Sequence, residues 1–465
     1  MMLATRVLAF IGCVHGVALS STSRILLYVD PTEERLHILP SLEARGVECI
    51  LLHSSAAAAK IIALAEDAGD ESVAARVRAN EAPPAGMELE WAAYELPDDM
   101  EIAGVLCGSD GGLADAERLQ HVLVPACSNG INAARRDKFL MLETMRSVGL
   151  GAPAQVTPSS WEETQRFLSD TSYPVVLKPR RGQASVLVGL AHDEAEALRM
   201  DTALRDPQCR VSIDSSELPA GDTNVLVQEF LHGDEWVVDS VSRDGEHKAV
   251  ALWRYDKREA NGAPFVYFGI EACAVAGAVE EAVLEYARSC LDALGWQWGP
   301  CHLELKIVPE RGGALAGSAA PVLIEVNAGR FNGEHEQHDF PLFCRLCNGH
   351  EALEATLDAY LDAAAFDELP PSPPAELRVR GKNVKLISRA SGTLAIDPAE
   401  AQAMVLEALP SMLSFTPAYS AVGDAVRPTI DLSTCAGYAH LVHADEEVLE
   451  RDYTTLHALD LFQVS

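Results

Sequence analysis

Two short stretches, CHLELKIV (301–308) and PVLIEVN (321–327), constrain this chain more than any others. In each, polar and apolar residues alternate, and a strand sends alternate side chains to opposite faces. His302, Glu304 and Lys306 therefore share one face, with Leu303, Leu305 and Ile307 on the other. Glu325 and Asn327 share a face, and Val322, Ile324 and Val326 turn toward a core. Paired as a hairpin, the strands bring two carboxylates and a carboxamide together. Such oxygen donors suit a hard divalent cation held together with substrate phosphates. The competing reading is the solvated face of a half-exposed sheet.

Cations elsewhere favour the first reading. Lys178 ends the apolar run PVVLK, where an unpaired ammonium is costly, so an anion is the natural partner. Lys138 opens AARRDKFLMLETMRSVGLGAP, a helix by the spacing of Phe139, Leu142, Met145 and Val148, with Gly149 and Pro153 as its stop. The two lysines can clamp nucleotide phosphates. The loop RRGQAS, with Ser185, offers backbone N–H groups as a flap, and its arginines favour an additional anionic contact.

The chain has 465 residues, 48% hydrophobic and 23% charged, which is globular usage with room for several domains. Thirty-six Lys and Arg against 69 Asp and Glu leave a net charge of -33, which repels nucleic acid and anionic membranes. An anionic ligand therefore needs a locally positive pocket or a metal. The eleven cysteines are irregularly spaced. Cys344 and Cys347 form a lone CxxC, which reads as buried thiols rather than zinc. The first 20 residues read as a signal peptide or the start of an organellar leader. Reduced thiols point to a cytoplasmic or plastid interior once the leader is removed, with a secretory route as the other destination.

RILLYVD, VECILLHSS and IAGVLCGSDGG read as strands of an open α/β domain over 21–132, with glycines after the third strand able to approach a ligand. Asp244-Gly245 marks a hairpin turn. A second unit spans 133–366, LPPSPPAELR lies in a Pro-rich linker over 367–378, and GKNVKLISRASGTLAI reads as a hairpin opening an α+β module over 379–465. WRYDKREANGAPFVYFG mixes cations with aromatics and either offers Arg254 and Lys257, with His302, as substrate contacts or forms a long hairpin tip with a solvated charge run. His335 and His338 lack the HExxH spacing of a zinc site.

Lys138, VVLKP, QEFLHGDEW, HLELK and IEVNAGR, in that order, resemble the ATP-grasp superfamily and in particular its carboxylate-amine ligases. The resemblance covers about residues 24 to 365. It implies an ATP-grasp fold preceded by a preATP-grasp domain. Lys138, Lys178 and Ser185 would contact phosphates, Gln228, Glu229, Phe230 and Leu231 would form the adenine hinge, and Glu235 would accept the ribose hydroxyls. Glu304, Glu325 and Asn327 would hold two Mg²⁺ ions, with Mn²⁺ as a substitute, and Arg330 would lie beside the transferring phosphoryl group. The family usually has one residue between the metal Asn and the Arg, whereas Ala328 and Gly329 stand there in this chain.

The implied reaction joins a small carboxylate to an amine, with amino acids as the leading substrates, through an acyl phosphate and with release of ADP. The alternatives are carboxylase or thioester-forming ATP-grasp chemistry, or an ATP sensor without turnover. A homodimer fits the resemblance.

Overall fold

The computed structural model describes residues 23–31, 38–96, 100–182, 187–206, 224–330 and 339–465. The N-terminal domain is built on three parallel strands, β1 (Ser23–Val29), β2 (Val47–Leu52) and β3 (Met100–Cys107), in the order β2-β1-β3. A central parallel strand is covered on both faces and so reads as an unbroken apolar run. The period of two divides β1 between two cores. Leu26 and Tyr28 face Leu353 and Phe366, while Ile25, Leu27 and Val29 face Leu119 on the helix Leu113–Leu123.

A small antiparallel sheet follows, made of β4 (Gln155–Val156), β5 (Val175–Pro179), β6 (Gly189–Ala191) and β7 (Val225–Glu229) in the order β4-β7-β5-β6. Its apolar face, with Val175, Leu177 and Val227, packs on helices Trp161–Asp170 and Glu194–Arg205 through Leu168, Ala197 and Leu204.

The large sheet has eight strands. They include β8 (Glu235–Arg243), β9 (Glu246–Ala260), β10 (Ala263–Ala272), β11 (Gly299–Val308) and β12 (Ala320–Ala328). Beyond them, β13 (Arg380–Lys385) is followed by a two-residue ladder of β14 (Gly392–Thr393) with β16 (Ala425–Val426), flanking β15 (Met412–Pro417), and by β17 (Gly437–His443). The order of the large sheet is β12-β11-β8-β9-β10-β13-β17-β15. Asp244 and Gly245, at φ of 48° and 77°, make the β8–β9 turn in the left-handed region such tight hairpins need.

One face of this sheet, with Trp236, Leu252, Leu303 and Leu305, packs on helices Lys138–Ser147 and Ala278–Ala293. On the opposite face, Val237, Trp253 and Ile270 are covered by Phe340, Phe343, Cys344 and Cys347 of the helix Phe340–Asn348. Both cysteines are buried free thiols. Glu304, Glu235 and Asp239 lie on this second face.

The C-terminal strands extend the sheet that carries the site. The expected hairpin over GKNVKLISRASGTLAI does not form. Instead β13 lies between β10 and β17, because a strand this buried needs a ladder partner on each side. The Pro-rich segment is also tied down. Lys248 Nζ donates to the carbonyls of Phe366, Asp367 and Leu369 at 2.7, 3.1 and 2.8 Å, and the amides of Ala249 and Val275 donate to Pro371 and Pro374. Among the described residues no helix is long and apolar enough to cross a membrane.

Candidate active site

The β11–β12 ladder sets Glu304 directly opposite Glu325 and His302 directly opposite Asn327, so the four side chains share one face. A bulge between Glu304 and Leu305 then shifts the register, pairing Leu305 with Leu323 and Lys306 with Val322. This corrects the expected core face. Leu323 and Val326 enter the core, whereas Val322 and Ile324 gather with Leu231 and Val308 beside the β7–β8 connection.

Each carboxylate is met by its own cations. Lys138, the first residue of its helix behind the N-cap Asp137, lies 2.8 Å from Glu325 and donates to the Gly182 carbonyl at 2.8 Å. Burial works against its charge, but Glu325 outweighs that and raises its pKa. Lys257 is bonded to Glu235 and lies 3.5 Å from Glu304. Its ammonium is also 4.9 and 4.3 Å from the ring centres of Tyr255 and Tyr267. Burial opposes the Glu304 charge, but Lys257 and then His302 overcome that and hold its carboxyl well below the usual range.

Lys178 differs from these two. It is buried on β5, and its ammonium makes no hydrogen bond or ion pair among the described residues. Burial is the main cause that pushes its pKa down to about 8; Lys138 adds to the shift and Glu325 opposes it. A buried ammonium beside an acidic sheet face and a second lysine is arranged to receive an anion.

His302 is locked in place. Its Nδ1 lies 2.7 Å from Asp239, whose other oxygen accepts from Trp253 Nε1 at 2.7 Å, and its Nε2 is 3.2 Å from the Tyr255 hydroxyl. Burial disfavours the imidazolium, but Asp239 outweighs it and lifts the pKa to about 10. Arg330 follows Gly329, whose φ is 81°, and donates to Asp110 in the loop after β3.

The connection from β7 to β8 forms a small apolar bed. Phe230 stacks on Phe265, and Lys306 lies over the Phe230 ring while donating to the Leu231 carbonyl at 3.0 Å. The Gln228 side chain is turned away to Gln155, and Glu229 pairs with Arg311. Asp239, Tyr255, Asp110 and Arg311 join these residues without having stood among the candidates from the sequence. Asp239 and Tyr255 carried a sequence signal, since they alternate along their strands with Glu235 and Lys257.

Two further expectations are corrected. Arg254 does not join the site: it sits opposite Trp236, on the face packed against the helices, and pairs with Glu271 at 2.6 Å. Arg180, expected to favour an anionic ligand, is engaged by Asp137 at 2.7 Å. Ser185, His335 and His338 lie outside the described residues.

The donor chemistry fits a divalent metal. Glu304 and Glu325 are opposed hard oxygen donors with Asn327 alongside, and the cations at them are lysines and an imidazole that a more highly charged ion can displace. Lys138 and Lys178 beside that set, with the apolar bed of Phe230 and Leu231 at the far end, fit a nucleoside triphosphate.

The ATP-grasp domain family matches residues 171–337, the stretch that carries Lys178, Lys257 and the opposed carboxylates Glu304 and Glu325. The chain contains an ATP-grasp domain. Among curated proteins it is similar to dapdiamide A synthase of Enterobacter agglomerans, at 26% identity over 353 residues, 75% of this chain and 76% of that one. Among solved structures it is similar to an L-amino acid ligase from Bacillus licheniformis (TM-score 0.63, 18% identity, 94% of this chain and 98% of that chain). It is also similar to an ATP-bound carboxyaminoimidazole ribonucleotide synthase from Aspergillus clavatus (TM-score 0.57, 14% identity, 93% and 97%).

Proposed function

We propose that the protein is an ATP-dependent carboxylate-amine ligase acting on amino-acid-like small molecules. One observation carries this reading: Lys138, Lys178 and Lys257 converge with Glu304, Glu325 and Asn327 on a single sheet face, with Arg330 at its edge. The likeness to dapdiamide A synthase supports the substrate class.

A carboxylate resists attack by an amine because the departing oxide is a poor leaving group. Phosphorylation by ATP converts that oxygen into part of an acyl phosphate, and the amine then displaces phosphate, leaving an amide, ADP and phosphate. Two Mg²⁺ ions, replaceable by Mn²⁺, would be held by Glu304, Glu325 and Asn327 and would supply charge neutralisation at the phosphates.

The chain's own residues provide the rest. Lys138 and Lys178 offset phosphate charge, and Lys257 lies between the carboxylate proposed for ribose, Glu235, and the metal ligand Glu304. Arg330 balances charge on the carboxylate oxygen as it accepts the phosphoryl group. His302, fixed by Asp239, keeps a positive edge beside Glu304. Removing one such charge-stabilising group typically costs about 10²- to 10³-fold in rate.

The test is release of ADP and phosphate from ATP and Mg²⁺ over a matrix of amino acids and other carboxylates paired with amines. Release that requires both a carboxylate and an amine supports the ligase. Release with bicarbonate or a thiol in place of the amine replaces it with the corresponding other chemistry, and binding of ATP without turnover in any pairing replaces it with a sensor.

A further inference from the structure

We propose that Asp110, in the N-terminal domain, is the residue that reads the α-ammonium of the amino acid whose carboxylate is activated, working as a pair with Arg330. The inference deepens the ligase reading and rests on it.

Asp110 and Arg330 are separated by 220 positions and belong to different domains, yet their side chains are in direct contact. Both are about one-fifth exposed, at 22% and 19%, so a small molecule can reach them. Arg330 lies three residues beyond Asn327, at the metal-binding end of β12.

The loop that carries Asp110 is pinned on either side of it. The Gly108 amide donates to Val29 at 2.8 Å, and the Gly112 amide to Ser109 Oγ at 3.0 Å. Ser109 Oγ donates to Asp30 at 2.7 Å, and a Cβ on Gly108 would come within 2.2 Å of the Asp30 carbonyl. The loop therefore holds Asp110 at a set position relative to β1.

An ion pair of this geometry is complementary to a zwitterion. In an α-amino acid the nitrogen and the carboxyl carbon are about 2.5 Å apart. The molecule can therefore present its carboxylate to Arg330 and its ammonium to Asp110, and every charge keeps an opposite partner. A carboxylate without the ammonium takes Arg330 away from Asp110 and leaves two anions side by side. A β-amino acid carries its ammonium one methylene too far away. Selection thus comes from repulsion of the wrong substrate as well as attraction of the right one.

The experiment compares kcat/KM for L-alanine against propanoate, and for L-valine against isovalerate, as acyl donors with one fixed amine. The full chain and its Asp110→Asn and Asp110→Glu variants are assayed, and the affinity of each donor is measured by calorimetry with Mg²⁺ and a non-hydrolysable ATP analogue. The expected result is a preference for the amino acid that falls by roughly 10²-fold in Asp110→Asn, in kcat/KM and in affinity alike, and is retained in Asp110→Glu. Equal losses on both donors in Asp110→Asn, or an unchanged preference, would overturn the assignment while leaving the ligase intact. No ADP release by the unsubstituted chain with any carboxylate and amine would overturn the ligase reading, and this inference with it.

Discussion

The Lys138 ammonium lies 2.8 Å from a Glu325 oxygen, joining the first residue of a helix to the outermost strand of the large sheet. The contact ties the cation proposed for the phosphates to a carboxylate proposed for the metal. Glu325→Gln keeps the shape and removes the charge. Turnover, followed by ADP release, should fall by about 10²- to 10³-fold, with an unchanged circular dichroism spectrum. Near-normal turnover in the folded variant would remove Glu325 from the metal set.

Lys178 gives a test that separates function from stability. Its folded-state pKa, about 8, lies below the 10.5 of an ordinary exposed lysine, so the unfolded chain binds more protons between those limits. Stability at this site is therefore lowest below pH 8 and recovers as pH rises from about 8 to 10.5. Lys178→Met removes an ammonium whose burial costs roughly 3 kcal/mol. The variant should resist urea better than the parent at pH 7, with the gap closing at higher pH, and should lose turnover. Lower stability at pH 7 would contradict the shift.

The His302–Asp239 pair has the opposite sign. Its imidazolium has a folded-state pKa of about 10 against 6.5 when unfolded. The stabilisation is complete below pH 6.5 and disappears as pH rises through about 10. Asp239→Asn should therefore destabilise the protein more at pH 6 than at pH 9.5. Denaturant titration at both values checks this, and a penalty independent of pH would assign Asp239 to the Trp253 hydrogen bond alone.

Arg254 and Lys257 are three residues apart and lie on opposite faces of β9. Arg254→Ala should change kcat/KM by less than about twofold, since it removes a half-exposed ion pair away from the site. Lys257→Met should reduce kcat/KM by roughly 10²-fold. Similar effects from the two substitutions would contradict the placement of the strand.

Much of this was legible in the sequence because alternation is a local property. HLELK and IEVN define their polar face without reference to the rest of the chain, and Lys138 is located by its own helical pattern. The same rule, applied to WRYDK, separates Trp253, Tyr255 and Lys257 from Arg254 and Asp256, and so shows that Arg254 and Lys257 do not share a face. Alternation fails at Val322 and Ile324, where one extra residue in the ladder turns these side chains away from the main core and toward Leu231 and Val308. It says nothing about Asp110 and Arg330, which meet only through the packing of two domains. The partners of β13 were hidden for a similar reason: β17 lies more than fifty residues downstream, and no short pattern records such a pairing.

The continuity of the large sheet limits how the polypeptide can be shortened. A chain ending before Arg380 would strip β10 of its neighbour and bare a row of backbone donors and acceptors flanked by Val266, Phe268 and Ile270. Exposed edges of that kind recruit strands from other molecules. A premature stop there should therefore yield insoluble aggregates rather than a smaller enzyme, and fusion partners are better attached after Ser465 than substituted for the last 86 residues.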